Sequence, residues 1–146
     1  MNDECPAGWH VPTQAEWDQL TTYMGRQNGY WCDDEEPTFI AKALAGTHHY
    51  TNQSEETIYA WAHEEKYCAV GSDRGNIAKT NTTGFSAFPA GYWKTAFDSY
   101  GQSANFWTST LEDNQAWVYY LSFSQEMVSS YKEDKETAFS VRCVKN

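Results

Sequence analysis

Apolar residues near the start of the chain recur at helical spacing. The sequence Thr-Gln-Ala-Glu at 13–16 matches a capping box, in which the threonine hydroxyl and the glutamate carboxylate satisfy free N–H groups at a helix start. The apolar residues that follow share one face of this helix: Trp17, Leu20 and Met24. A second, shorter helix is predicted over 38–45, with Thr38 as its cap and Gly46 at its end.

The pattern changes to that of strands in the last third of the chain. The segment 47–83 is polar and irregular, and it predicts only short strands over 58–62 and 67–70. Segments rich in Trp, Val, Tyr and Phe predict later strands over 106–111, 116–123, 126–131 and 138–144. Two N-terminal helices followed by a C-terminal antiparallel sheet predict an α+β fold, and the 146 residues fit a single domain, 1–146.

The charge of the chain narrows the classes of partner. Its formal net charge is −10, and its ten Lys and Arg residues are scattered. Because a phosphate backbone is bound by clustered positive charge, nucleic acid is disfavoured as a partner. No segment approaches the roughly 20 apolar residues that span a bilayer, so we expect no membrane insertion. The N-terminus lacks the apolar core of a signal peptide, so we expect the export signal to be absent from this sequence.

The four cysteines, at positions 5, 32, 68 and 143, are too far apart for a C-x-x-C metal or redox motif. An even number at wide spacing is typical of disulfides formed in an oxidising compartment. Four cysteines allow three connectivities. We favour Cys5–Cys143, which closes the chain end to end and leaves Cys32 to pair with Cys68. The alternative is four free thiols in a cytosolic protein.

Several blocks of sequence, in order along nearly the whole chain, resemble the Fibrobacter succinogenes major paralogous domain. They are CPAGWHVPT at 5–13, GFSAFPAGY at 84–92, FWTST at 106–110, NQAW at 114–117 and FSVRCV at 139–144. The resemblance implies a C-type-lectin-like fold, in which the N- and C-terminal strands lie side by side. It also implies a bacterial protein that is extracellular or at the cell surface. The family is defined by sequence, so the resemblance implies no biochemical role.

Calcium is the one cofactor that the sequence leaves open. The Glu-Pro-Asn or Gln-Pro-Asp and Trp-Asn-Asp signatures of calcium-dependent lectins are missing. The acidic run 33–36 offers oxygen ligands, but a solvated loop is the favoured interpretation. Adjacent strand residues point to opposite faces, so His48 and His49 are poorly placed to chelate, and with His63 they are expected to be surface residues. We therefore expect no metal site and no cofactor.

The stretch 92–136 has the composition of an antibody paratope, in which Tyr and Trp give contact area and Ser and Asn give adaptable hydrogen bonds. Trp107 and Trp117 lie inside family blocks and are expected in the core, together with Trp9, Trp17, Phe85, Leu121 and Phe139. The polar and aromatic residues between the blocks are the ligand candidates: Trp93, Tyr100, Asn105, Asp113, Tyr119, Tyr120 and Tyr131. For any single tyrosine, the alternative is an ordinary strand residue.

These patterns predict an extracellular module that binds a glycan, or a cell-surface or phage-surface protein, through an aromatic C-terminal face. Two alternatives stay open. The first is a hypervariable receptor whose codons are diversified by a retroelement, and the second is a structural or adhesive module of a longer surface protein. No G-x-S-x-G, H-E-x-x-H or P-loop motif is present, so we expect no enzyme and no catalytic residue.

Overall fold

The computed structural model describes residues 5–47, 49–51, 54–55 and 57–146. His48 and the side chain of His49 lie outside the described part. The helices are α1 (Gln14–Gly25) and α2 (Ala41–Leu44). The strands are β1 (Trp9–His10), β2 (His49–Thr51), β3 (Thr57–Tyr59), β4 (Tyr92–Trp93), β5 (Phe97–Asp98), β6 (Ser103–Glu112), β7 (Gln115–Ser122), β8 (Ser129–Glu133) and β9 (Val144–Lys145).

The two longest strands, β6 and β7, form a wall that is buried on both faces. Phe106 pairs with Tyr119, and the next pair along the strands is Trp107 with Val118. Because successive side chains point to opposite faces, these two pairs belong to two separate cores. The first core contains Ala104, Phe106, Tyr119 and Leu121 and extends to Trp17, Met24 and Leu44 of the helices. The second core contains Trp107, Ala116 and Val118, covered by Tyr131 and Phe139.

Helix α1 forms as its local sequence predicts. The Thr13 hydroxyl accepts a hydrogen bond from the Glu16 N–H, and the Glu16 carboxylate accepts one from the Thr13 N–H, so the capping box is confirmed. The indole of Trp17 stacks on the ring of Tyr119, with centroids 5.1 Å apart and planes 6° apart. The Tyr119 hydroxyl donates to Asp18 at 2.5 Å. The stack and the hydrogen bond together hold α1 against the first face of the sheet.

Two disulfides connect segments that are distant in sequence. Cys5 is bonded to Cys143, and the adjacent strands β1 and β9 pair, with Trp9 opposite Lys145. Cys32 is bonded to Cys68, which ties the segment before α2 to the irregular loops that follow β3. Disulfides persist in oxidising environments, so this protein belongs to an oxidising, extracellular type of compartment. Within the described residues, neither helix is long and apolar enough to cross a membrane.

The predicted α+β, C-type-lectin-like arrangement of two N-terminal helices and one C-terminal sheet is wrong. Strands predominate, and in the described ranges they divide into four small antiparallel sheets: β1–β9, β2–β3, β4–β5 and β6–β7–β8. Helix α2 is a single turn, because the residues on either side of it form backbone hydrogen bonds that do not continue the helix. The Ile40 N–H donates to the Thr38 carbonyl, and Ala45 forms a parallel bridge with Ala87.

Two of the predicted strands are also wrong. The segment 67–70 is a turn, in which Cys68 has φ 61°, the left-handed region that strands do not use. The segment 138–144 is a strand only at Val144, while Ala138 and Ser140 form isolated bridges to other parts of the chain. Its alternating pattern reflects contacts with two different neighbours, not a continuous ladder.

Trp17 and Trp9 provide a matched test of this core. Trp17 is 3% exposed and Trp9 is 45% exposed. Trp17→Ala should lower the free energy of unfolding by roughly 3–5 kcal/mol, because it removes the ring on which Tyr119 and α1 pack. Trp9→Ala should cost less than about 1 kcal/mol. Urea unfolding followed by circular dichroism measures both, and equal losses would contradict the assignment of Trp17 as the residue that joins helix to sheet.

Candidate functional site

An exposed aromatic pair lies on the small hairpin β4–β5. Trp93 and Phe97 are opposite each other in the register, so their side chains leave the hairpin on the same face. Trp93 is 42% exposed and Phe97 is 83% exposed. Gly91 precedes the hairpin with φ +67°, and a Cβ there would lie 2.1 Å from the carbonyl oxygen of Asp98. The hairpin therefore folds back tightly, and only glycine fits at its base.

The segment 138–140 forms the second wall of a groove beside this pair. The Trp93 N–H donates to the Ala138 carbonyl at 3.0 Å, and the Ala138 N–H donates back at 2.7 Å. The groove between the two segments has a volume of about 450 Å³ and is lined by Ala90, Gly91, Tyr92, Trp93, Phe97, Ala138, Phe139 and Ser140. We call it the aromatic groove. Its volume lies within the roughly 300–1,000 Å³ typical of ligand sites.

The lining of the aromatic groove rests on a second layer of rings. The centroid of Phe139 lies 4.8 Å from that of the buried Trp107, 5.8 Å from that of Tyr92 and 6.3 Å from that of Tyr131. Tyr131 in turn lies 5.5 Å from Tyr120 in an edge-to-face arrangement. Burial raises the pKa of Tyr131 to about 12, and the Glu133 carboxylate adds to this rise. The phenol of Tyr131 therefore stays neutral up to about pH 12.

Asn105 holds both walls of the aromatic groove from behind. Its side chain is buried, and Nδ2 donates to the Gly91 carbonyl at 3.3 Å and to the Ser103 hydroxyl at 2.7 Å. Its backbone carbonyl accepts a hydrogen bond from the Ser140 N–H at 3.1 Å. One residue of β6 thus fixes the base of the hairpin and the opposite wall. Asn105 is a positioning residue here, because its amide N–H groups are engaged by Gly91 and Ser103 and it is not part of the groove lining.

The seven ligand candidates from the sequence fall in different places. Trp93 lines the aromatic groove, and Tyr100 is 62% exposed beside Phe88, on the chain segments that flank the hairpin. Tyr120 and Tyr131 lie in the layer behind the groove. Tyr119 points to the opposite face of β7 and is buried against Trp17.

Asp113 lies at the far end of the central sheet. It occupies the turn between β6 and β7, where both Asp113 and Asn114 have positive φ. Its carboxylate lies 3.7 Å from the Lys132 ammonium. Eight residues separate Asp113 from Asn105 along β6, which corresponds to roughly 25 Å of extended strand. Asp113 therefore does not share a site with the aromatic groove.

Sequence reasoning missed Phe97, which lines the aromatic groove. Phe139, which was expected in the core, packs against the second core and also lines the groove. The signal for Phe97 was present, because a lone phenylalanine in the polar stretch 94–99 has no strand pattern to bury it. Trp117 is only partly buried, and its indole N–H donates to Glu112.

Among the described residues, no group of three His, Cys, Asp or Glu side chains is placed to hold a metal ion. The acidic run 33–36 lies largely at the surface.

A second cavity, which the sequence did not indicate, surrounds the side chain of Lys42. Lys42 is 2% exposed, and its ammonium donates to the carbonyls of Ser72 at 2.5 Å and Val70 at 3.4 Å. Burial lowers the pKa of Lys42 to about 8, a shift that the Asp73 carboxylate partly opposes. The cavity has a volume of about 420 Å³ and shares no lining residue with the aromatic groove.

The fold and the groove define a disulfide-bonded, strand-rich domain with an aromatic surface site. The model of the Fibrobacter succinogenes major domain matches residues 1–145, so this chain belongs to that bacterial family. The family resemblance in the sequence blocks is thereby confirmed. Neither a curated protein nor a solved structure matches the chain.

Asn105→Ala should destabilise the protein by roughly 1–3 kcal/mol, because the Gly91 carbonyl loses its buried donor. Asn76→Ala, at an exposed asparagine, should change the free energy of unfolding by less than about 0.5 kcal/mol. Urea unfolding of the two variants beside the unsubstituted protein measures the difference. A loss at Asn105 no larger than at Asn76 would show that the amide does not hold the groove.

Lys42 should give the protein a characteristic stability profile in alkaline solution. Its pKa is about 8 in the folded protein and about 10.4 in an unfolded chain. The unfolded state therefore holds one more proton between these values, and stability rises with pH across this window. Below pH 8 the cost of burying the charge is present in full. The free energy of unfolding of the unsubstituted protein minus that of Lys42→Met should therefore rise from pH 8 to pH 10.5. A difference that does not change over this range would refute the lowered pKa of Lys42.

Proposed function

We propose that this domain binds a carbohydrate outside the cell through the aromatic groove. The observation that carries the proposal is the pair formed by Trp93 and Phe97, which the fold exposes over a groove of about 450 Å³. The flat apolar C–H face of a sugar ring packs on such rings, while its hydroxyls reach backbone groups and water.

Within the described residues, the exposure of these rings has no structural explanation. Burying a phenylalanine side chain is worth roughly 1.5–3 kcal/mol, and Phe97 forgoes most of that stabilisation. Exposed apolar groups that cluster beside a groove mark interaction sites more often than isolated ones do. Phe97 and Trp93 cluster in this way, with Phe88 and Tyr100 on the same chain segments.

The rigidity of the groove also favours a binding role. The hairpin is joined to segment 138–140 by two backbone hydrogen bonds, and the Lys94 ammonium at its tip lies 3.3 Å from the Glu133 carboxylate on β8. A preformed site loses little conformational entropy when a ligand binds. A neutral glycan is also compatible with the net charge of −10, which disfavours polyanionic ligands.

Truncation of the aromatic pair tests the proposal. The unsubstituted protein should bind a subset of an array of neutral glycans. Trp93→Ala and Phe97→Ala should each weaken the best interaction at least roughly tenfold, because loss of an aromatic anchor costs about 2 kcal/mol. Calorimetric titration with the best glycan gives the affinities.

Tyr23→Ala provides the matched control, because Tyr23 is 55% exposed on α1 and contributes nothing to the groove lining. It should bind as the unsubstituted protein does. Glycan binding that survives both groove substitutions would place the site elsewhere. Binding only to a surface protein stripped of its glycans would overturn the carbohydrate proposal.

A further inference from the structure

The cavity around Lys42 is formed by segments that are far apart in sequence. Lys42 comes from α2, Ala60, Trp61 and His63 from the chain after β3, and Val70 to Asp73 from the following loop. Gly71 is required at this point by packing, because a Cβ there would lie 2.0 Å from the carbonyl oxygen of Ala62. The loop therefore passes close under the cavity and brings its carbonyl groups to the lysine.

Two hydrogen-bond donors at this cavity lack acceptors among the described residues, one N–H of the Lys42 ammonium and the indole N–H of Trp61. An ammonium group has three N–H donors, and the described residues supply acceptors for two of those of Lys42, the carbonyls of Val70 and Ser72. None of the ion pairs found in the described ranges includes Lys42. The indole Nε1 of Trp61 is buried and has no hydrogen-bond partner there. Both residues line the cavity.

Such an arrangement is costly without a ligand. Burial of an ammonium group without a carboxylate partner is unfavourable, and a buried N–H with no acceptor adds to the cost. A methionine at position 42 would fill a similar volume without burying a charge. The remaining lining includes Ala60, Val70 and the ring of Trp61, so an entering molecule meets apolar walls as well as donors.

We propose that this cavity is a second ligand site that binds a small monocarboxylate with a short apolar tail. The carboxylate would accept hydrogen bonds from the Lys42 ammonium and the Trp61 indole, and the tail would lie against Ala60 and Val70. The Asp73 carboxylate is also part of the lining and repels every carboxylate of a ligand. Pairing with Lys42 offsets this repulsion for one carboxylate only, so dicarboxylates are selected against.

The competing explanation is that Lys42 only links α2 to the loop of Val70 and Ser72. The two explanations predict different effects of a carboxylate ligand on the pKa of Lys42. Other charged groups near α2 are already engaged or exposed: the Glu126 carboxylate pairs with Lys66 at 2.8 Å, and His63 and Asp73 are exposed at the cavity rim. A carboxylate bound beside Lys42 stabilises its protonated form and so raises its pKa above about 8. Ligand binding near pH 8 therefore takes up a proton, which a purely structural lysine would not show.

Nuclear magnetic resonance of the complete, 15N-labelled chain tests this site. Each of the seven tryptophans contributes one indole N–H signal, and the signal that is lost in Trp61→Phe identifies that of Trp61. Propionate should shift the Trp61 signal saturably, with a dissociation constant on the order of 1 mM, the weak end of specific binding. Propionamide, which has the same shape and no charge, should shift it at least roughly tenfold less effectively, because charge-assisted hydrogen bonds are the stronger kind.

Substitutions complete the test. Lys42→Met should abolish the saturable shift of Trp61, whereas Lys145→Met, at an exposed lysine of β9, should leave it unchanged. If Lys42→Met does not fold, Trp61→Phe serves instead, and the amide signal of Thr80 reports a loss of propionate affinity. An unshifted Trp61 signal, an equal response to propionamide, or a response that persists in Lys42→Met would each overturn the proposal.

Discussion

The antiparallel pairing of β6 with β7 is the interaction on which the rest of this structure depends. Its register puts Phe106 and Tyr119 on one face and Trp107 and Val118 on the other. The first face receives α1 through the stacking of Trp17, and the second supports Phe139 through Trp107. A shift of one residue would exchange the two faces, since side chains alternate along a strand. The main core and the aromatic groove are therefore set by the same register.

Features that depend on neighbouring residues were predictable from the sequence. The capping box at Thr13 needs only contacts within one helical turn. By contrast, the single turn of α2 follows from the bond of Ala41 to Glu126 and the bridge of Ala45 to Ala87, both distant in sequence. Tyr119 and Tyr120 show the same limit. They are adjacent and chemically identical, and only the strand register decides which of them is buried in the core.

Phe97 and Lys42 depart from the usual rule of burial in opposite directions. Phe97 is an apolar side chain at the surface, and Lys42 is a charged side chain in the interior. Neither departure is fully compensated within the described part of the fold, because Phe97 is largely uncovered and Lys42 donates to two carbonyls but forms no ion pair there. Local inconsistencies of this kind are expected at functional sites, where a ligand supplies the missing contact. The sequence pattern identified only Trp93 of the aromatic pair at the groove. It could not indicate Lys42, because the burial of that side chain is a property of the fold.

The overall charge affects the two proposed sites differently. A net charge of −10 repels an approaching carboxylate at long range, and salt screens this repulsion over about 8–10 Å. At contact, the buried Lys42 ammonium acts through apolar surroundings, where screening is weak. The attraction therefore survives at salt concentrations that remove the repulsion. A neutral sugar in the aromatic groove experiences neither effect. The acidic surface and the buried lysine are thus compatible, because one acts at a distance and the other only once the ligand has entered the cavity.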